Sequence, residues 1–222
     1  MTDVRSLTVT PDLLTYAVEH RSYPVDRVMR DLQAETRKLG RAAGMQVGAD
    51  QGQLLTFLAR LVGARQAVEV GTFTGYSSLC IARALPKDGK LICCDISDEW
   101  TRIGRKAWER AGLADRIELR LGPGLDTLRE LPRGEHIDFV FIDADKGGYV
   151  SYWNELVPRV RPGGLLLADN VLWSGDIVDE TSDDADTQAL RAFNDLVVHD
   201  ERVEAVVLPA FDGLTIARKK AA

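Results

Sequence analysis

Apolar and polar positions follow two different rhythms along this chain. From about residue 10 to 62 the apolar residues recur at helical spacing, as in GQLLTFLARLVGA, with Pro11 and Pro24 at expected helix starts. Beyond that, short β-branched or apolar runs alternate with helical stretches. QAVEV precedes GYSSLCIARAL, KLICCDI precedes DEWTRIGRKAWERAG, RIELRL precedes LDTLREL, IDFVFID precedes YVSYWNELVPRV, and GGLLLADNV closes the series. These five runs, each linked to the next through a helix, predict a parallel sheet covered by helices on both faces. The tail departs from this. A helix over about 184–199 is followed by RVEAVVLP and DGLTIARK, two strands separated by AFDG that read as a hairpin-like end to the sheet. No repeat or low-complexity linker interrupts the pattern, so 1–222 reads as a single domain: a doubly wound α/β core over 61–222 with the helices of 1–60 packed against it.

In such sheets ligands bind beyond the carboxyl ends of the strands, near the point where strand order reverses. The residues that end each run are therefore the candidates. VEVGTFTGYSS is a strand, a glycine-punctuated turn and a helix start, in which Gly71 and Gly75 permit close backbone approach and Glu69, Thr72, Tyr76 and Ser77 offer polar groups. The spacing Gly-x-x-x-Gly differs from the Gly-x-Gly-x-x-Gly of dinucleotide binders. An acidic residue inside the strand repels phosphate and suits a cationic, amino-bearing ligand, a polarity that S-adenosylmethionine has. Asp95, at the end of the second run, is placed to take ribose hydroxyls, and the small residues of LGPGLDTL, with Gly122 and Gly124, leave room for a flat base.

The fourth and fifth runs end in charge. FVFIDADKGGYVSYW carries Asp143, Asp145 and Lys146, and GGLLLADNV carries Asp169 and Asn170. If these strands are neighbours, Asp143, Asp169 and Asn170 converge as a hard-oxygen set that suits Mg²⁺, with Ca²⁺ and Mn²⁺ open alternatives, better than it suits zinc. Lys146 reaches over the same point, where a cation favours its uncharged amine and hence a role as general base toward a hydroxyl. Asp145 is expected to support the loop or the ligand.

Composition narrows the partners. A net charge of −6 argues against a nucleic-acid backbone as the main partner. The opening MTDVRSLTVTPDLL lacks a signal-peptide pattern and no long apolar run suggests a membrane span, so a cytoplasmic location is expected. Cys80, Cys93 and Cys94 lie in apolar runs and read as buried thiols, and His20, His136 and His199 fall at no strand end.

VEVGTFTGYSS, FIDADKGGYVSYW and RPGGLLLADNVLWSGDIVD together resemble the cation-dependent O-methyltransferases of the caffeoyl-CoA and catechol type, over nearly the whole chain. The resemblance implies a Rossmann-like, seven-stranded methyltransferase fold with the last strand antiparallel. It implies S-adenosylmethionine as donor and a vicinal dihydroxy aromatic, a catechol-type small molecule, as acceptor. On this resemblance Asp143, Asp169 and Asn170 would hold the metal, and Lys146 would be the base. Glu69, Gly71, Ser77 and Asp95 would hold the donor, with Val47 and the stretch Gly122, Pro123 and Gly124 around it; Asp143 would touch both donor and metal. Met45, Lys146, Tyr152 and Trp173 would meet the acceptor, Tyr152 and Trp173 reading equally as core packing. The helices of 1–60 would contribute to the acceptor site and to a homodimer.

The chain departs from the family at VGAD after Met45-Gln46, at glycine in GPGL where alanine is usual, at Trp153 for tyrosine, and at Phe211 for a smaller residue. These changes bear on donor packing and acceptor shape. The rival readings are a nicotinamide oxidoreductase, disfavoured by the missing third glycine, and a non-catalytic donor-binding module, disfavoured by the intact Lys146 and metal set. A nucleic-acid methyltransferase would need an Asn-Pro-Pro-Tyr-like stretch or a basic patch, and neither is present.

Overall fold

The computed structural model describes residues 8–20 and 25–221, so the expected helix start at Pro24 lies outside the described residues. Helix α1 (Pro11–Glu19) begins where Thr10 caps it, its hydroxyl accepting from the Leu13 N–H. Helix α2 (Arg27–Arg37) is capped in the same way by Asp26, which accepts from the Met29 N–H at 2.9 Å. A 3₁₀ segment (Gly40–Met45) leads to α3 (Ala49–Leu61). There follow β1 (Gln66–Val70), α4 (Tyr76–Ala84), β2 (Lys90–Asp95), α5 (Asp98–Arg110), β3 (Ile117–Leu121) and α6 (Gly124–Glu130). The second half contains β4 (Ile137–Ile142), α7 (Tyr149–Leu156), β5 (Val160–Ala168), α8 (Ala185–Val198), β6 (Val203–Leu208) and β7 (Leu214–Lys219).

The seven strands form one sheet in the order β3-β2-β1-β4-β5-β7-β6. β1 to β5 pair in parallel, and β7 is antiparallel to both β5 and β6. The physical reason for the reversal is the short link between β6 and β7, which can join only antiparallel neighbours; the parallel pairs need the long helical crossovers.

Period-two alternation sends successive strand residues to opposite faces. Ala67, Cys93, Phe139, Phe141 and Leu167 pack with Leu32 of α2, Leu55 of α3, Leu79 of α4 and Trp108 of α5. Val68, Val70, Val140, Ile142 and Leu166 face Leu128 of α6, Trp153 of α7 and Phe193 of α8. Each large side chain buried in this way stabilises the fold by roughly 1.5–3 kcal/mol. Of the described helices in 1–60, α2 and α3 bury residues such as Leu32 and Leu55, whereas α1 buries none. Trp153, expected to bear on the acceptor pocket, is instead a core residue: fully buried, edge-on to Phe193 at 5.6 Å, and donating its indole N–H to Asp200 at 2.8 Å.

Strand order reverses between β1 and β4, and there the two strand ends close on each other. Gly71, just past β1, has φ +91°, and a Cβ at that position would fall 1.8 Å from the Asp143 carbonyl oxygen. Only glycine allows this approach.

Candidate functional site

A cavity of about 720 Å³ opens over this reversal, at the carboxyl ends of the strands. One wall is the turn after β1, where Gly71, Thr72, Tyr76 and Ser77 all line the cavity. Gly122 and Gly124 line it from the end of β3, and Met45 and Val47 from the segment before α3. Asp95, at the end of β2, lines it too, but its carboxylate also holds the turn. Oδ2 accepts from the backbone N–H groups of Thr72 (2.9 Å) and Phe73 (2.7 Å), and Oδ1 from that of Ser97 (2.7 Å). A grip on ribose through both oxygens therefore meets an Oδ2 already occupied twice, and Oδ1 is the freer acceptor.

Glu69 and Pro123, expected around the donor, do not themselves line the cavity, while their chain neighbours Val70, Gly71, Gly122 and Gly124 do. Strand alternation turns Glu69 under α4, where it is fully buried and accepts a hydrogen bond from the Ser78 hydroxyl. Its Oε1 has no hydrogen-bond partner. Burial pushes its carboxyl up from 4.5 to about 7, against the opposing effect of the Ser78 hydroxyl. Below pH 4.5 the folded and unfolded chains both hold this proton; between 4.5 and 7 only the folded chain keeps it, so stability falls as pH rises through that window. Glu69→Gln is therefore expected to gain on the order of 3 kcal/mol over the parent chain at pH 8 and almost nothing at pH 4. Urea unfolding at both pH values checks this, and equal differences would refute it.

The opposite wall carries the oxygen donors. Ile142 of β4 is in register with Ala168 of β5, so Asp143 and Asp169 leave adjacent parallel strands side by side, with strand spacing about 4.8 Å. Backbone hydrogen bonds hold both positions, Asp143 N–H to the Val70 carbonyl at 2.8 Å and Asp169 N–H to the Ile142 carbonyl at 3.0 Å. Asn170 has φ +59°, and its amide is oriented by donating to Asp212 at 3.5 Å, which turns Oδ1 toward Lys146 Nζ at 2.7 Å. Lys146 is buried, at 3.5 Å from Asp143, and donates to the Tyr149 hydroxyl at 2.7 Å. That hydroxyl in turn donates to the Asp169 carbonyl at 3.0 Å.

These residues fit a hard divalent cation. Asp169 Oδ1 is buried with no hydrogen-bond partner, and Asn170 presents an amide oxygen beside it. Burial raises the Asp143 carboxyl, with Lys146 opposing; burial and then the Asp143 charge raise that of Asp169 to about 6. Added positive charge would favour the ionised form of both. Among the described residues no cluster of three His, Cys, Asp or Glu forms a cage, so the set is two carboxylates and an amide, the oxygen chemistry of magnesium or calcium.

Trp173 and Tyr152 line the cavity and also pack on the core. The Trp173 ring lies 5.6 Å from Lys146 Nζ, and the Tyr152 hydroxyl donates to Asp145 at 2.6 Å. The sequence reading missed Gln51, Trp100, Asp186 and Asp212, and did not assign Phe73 a role; all line the cavity. Phe73 and Trp100 meet edge-on at 5.1 Å and form an apolar side wall. Backbone strain gathers at the cavity: the described non-glycine residues with positive φ are Phe73, Asn170, Trp173, Ser174 and Phe211, and all but Ser174 line it, although among the missed residues this marks Phe73 alone. None of His20, His136 or His199 lines it, and the three cysteines are buried thiols.

A family model described as O-methyltransferase matches residues 18–220. Caffeoyl-CoA O-methyltransferase 1 of Arabidopsis thaliana is 37% identical over 227 residues, covering 97% of this chain and 87% of that protein. The O-methyltransferase of Bacillus cereus, solved in complex with SAH, is 33% identical with a TM-score of 0.85, over 93% of this chain and 97% of the other. TomG of Streptomyces achromogenes, an O-methyltransferase involved in tomaymycin synthesis and solved with SAM, is 31% identical with a TM-score of 0.85, over 93% of this chain and 95% of the other.

Proposed function

Because the chain belongs to the O-methyltransferase family, whose methyl donor is S-adenosylmethionine, we propose that it methylates one hydroxyl of a vicinal dihydroxy aromatic with a divalent cation, Mg²⁺ foremost, held by Asp143, Asp169 and Asn170. The observation that carries this reading is the partnerless Asp169 Oδ1 beside Asp143, Asn170 and Lys146 Nζ, at one wall of a cavity whose other wall is a glycine turn. Relatives named for caffeoyl-CoA support a phenolic acceptor. Family membership displaces the nicotinamide and non-catalytic readings.

A divalent cation held by Asp143, Asp169 and Asn170 would supply Lewis acidity there, making an acceptor hydroxyl more acidic. The chain supplies the rest. Gly71, Thr72, Ser77, Asp95, Gly122 and Gly124 line the donor end, where absent or small side chains let backbone reach the ligand. Lys146 is the base, taking the acceptor hydroxyl proton onto Nζ. Its direction is set from behind. The Tyr149 O–H proton goes to the Asp169 carbonyl, so the Tyr149 oxygen must accept from Lys146, and Asn170 Oδ1 accepts a second N–H. The third position on Nζ, which faces Asp143 at 3.5 Å in this structure, carries the lone pair when the amine is uncharged, and it is there that the acceptor proton would be taken. The acceptor oxygen then forms its bond to the methyl carbon as the carbon–sulfur bond breaks, and fixed orientation supplies much of the rate.

Methyl transfer to catechols and matched monophenols, each with Mg²⁺ and with EDTA, tests the reading. Catechols are expected to react, and only with metal. Full turnover in EDTA would remove the metal from the proposal, and transfer to no phenol would remove the acceptor class.

A further inference from the structure

The charge of the cavity is one-sided. Among the described residues lining it stand Asp95, Asp143, Asp145, Asp169, Asp186 and Asp212, and the sole lysine or arginine is Lys146. Asp143 and Asp169 would be neutralised by the divalent cation, while Asp186 and Asp212 have no such counter-charge in the lining. Asp212 is held at the site by accepting from the Ser174 N–H at 2.6 Å, and Asp186 lies exposed in the first turn of α8.

The segment between the metal corner and α8 continues the same sign. WSGDIVDETSDDADT, 173–187, contains Asp176, Asp179, Glu180, Asp183, Asp184 and Asp186 and no lysine or arginine. The neighbouring Arg191 is tied to the backbone carbonyls of Ile177 (3.1 Å), Asp176 (3.2 Å) and Asp179. Between these acids stand the apolar Trp173, Phe211 and Met45, the last two 43% and 49% exposed. A cavity of about 720 Å³ must also take the donor, which leaves the acceptor a modest share.

We propose that the acceptor is a compact catechol with a neutral or cationic side chain, and that the acidic mouth rejects anionic tails, a coenzyme A thioester above all. A tail with several phosphate charges would need basic side chains to pair with, and here it meets carboxylates and aromatic faces. An alkylammonium finds the reverse: acids at the rim and the face of Trp173 for a cation–π contact. The inference rests on the catechol reading of the site and adds the selection by charge.

The test is kcat/KM for four catechols that differ in side chain, an aminoethyl catechol, 4-methylcatechol, caffeate and caffeoyl-CoA, at low and high salt. Binding of the same four is followed in parallel by tryptophan fluorescence, since Trp100 and Trp173 line the cavity. The amine and the neutral catechol are expected to lead, caffeate to trail by about tenfold and the thioester by about a hundredfold or more, with the gaps narrowing at high salt. Asp186→Lys should narrow the amine-to-caffeate ratio several-fold. Caffeoyl-CoA turned over better than 4-methylcatechol overturns the proposal and leaves the catechol reading standing. So does an order indifferent to salt and to Asp186→Lys. Turnover of no catechol, with binding still ordered by charge, sinks the catechol reading and keeps the charge selection.

Discussion

Asp169→Ala is expected to lower methyl transfer by about a thousandfold or more, equivalent to about 4 kcal/mol of lost transition-state stabilisation. The same substitution should leave the fold at least as stable near neutral pH. Both expectations come from one feature: a nearly buried carboxylate with a partnerless Oδ1, its pKa lifted to about 6 by burial and by Asp143. A folded pKa above the unfolded 3.8 means that stability is full below 3.8 and drops as pH rises through 6, so at pH 7.5 this side chain costs stability. A residue kept at a cost to stability is expected where it serves binding or catalysis. Activity, calorimetric Mg²⁺ binding and thermal unfolding of the variant decide the matter. Retained turnover that responds normally to Mg²⁺ would refute the ligand assignment.

Lys146→Met is expected to cut kcat by about 10² to 10⁴, the range for removing a positioned base, with donor affinity nearly unchanged. Methionine keeps the length of the side chain and removes the amine. The sharper reading comes from pairing it with Tyr149→Phe, which deletes the acceptor that fixes the amine at 2.7 Å. If Tyr149 acts through Lys146, its loss costs kcat in the parent enzyme and adds almost nothing once Lys146 is gone. Equal losses in both backgrounds would make Tyr149 a packing residue. Equal losses of kcat and donor affinity in Lys146→Met would make that lysine structural.

The site was legible to the extent that its residues end strands. Each strand–helix unit delivers its last strand residues to the same edge of the sheet, so Gly71, Asp95, Gly122, Asp143 and Asp169 meet in space because of their place in five successive units. The periodicity that marks the strands therefore marks the site as well. Asn170 and Lys146 follow because they lie within a few residues of those ends.

The remaining features depended on tertiary structure. Glu69 sits at a strand end like the others, yet pleating turns it beneath α4, and a single residue of register separates that outcome from the cavity. Asp212 reaches Asn170 only because β7 inserts antiparallel beside β5, and Gln51 arrives on a helix that precedes the whole sheet. Trp153 and Trp173, similar in the sequence, part between core and cavity according to the packing of α7 on Phe193 and the left-handed backbone at Trp173. The net charge of −6 is a property of the sequence, but its concentration at one mouth belongs to the fold. Local pattern determines the type of each element and which residues it presents at its end, because both depend on neighbours a few residues away. Which face a side chain takes, and which distant segments close over it, is decided by strand register and long-range packing.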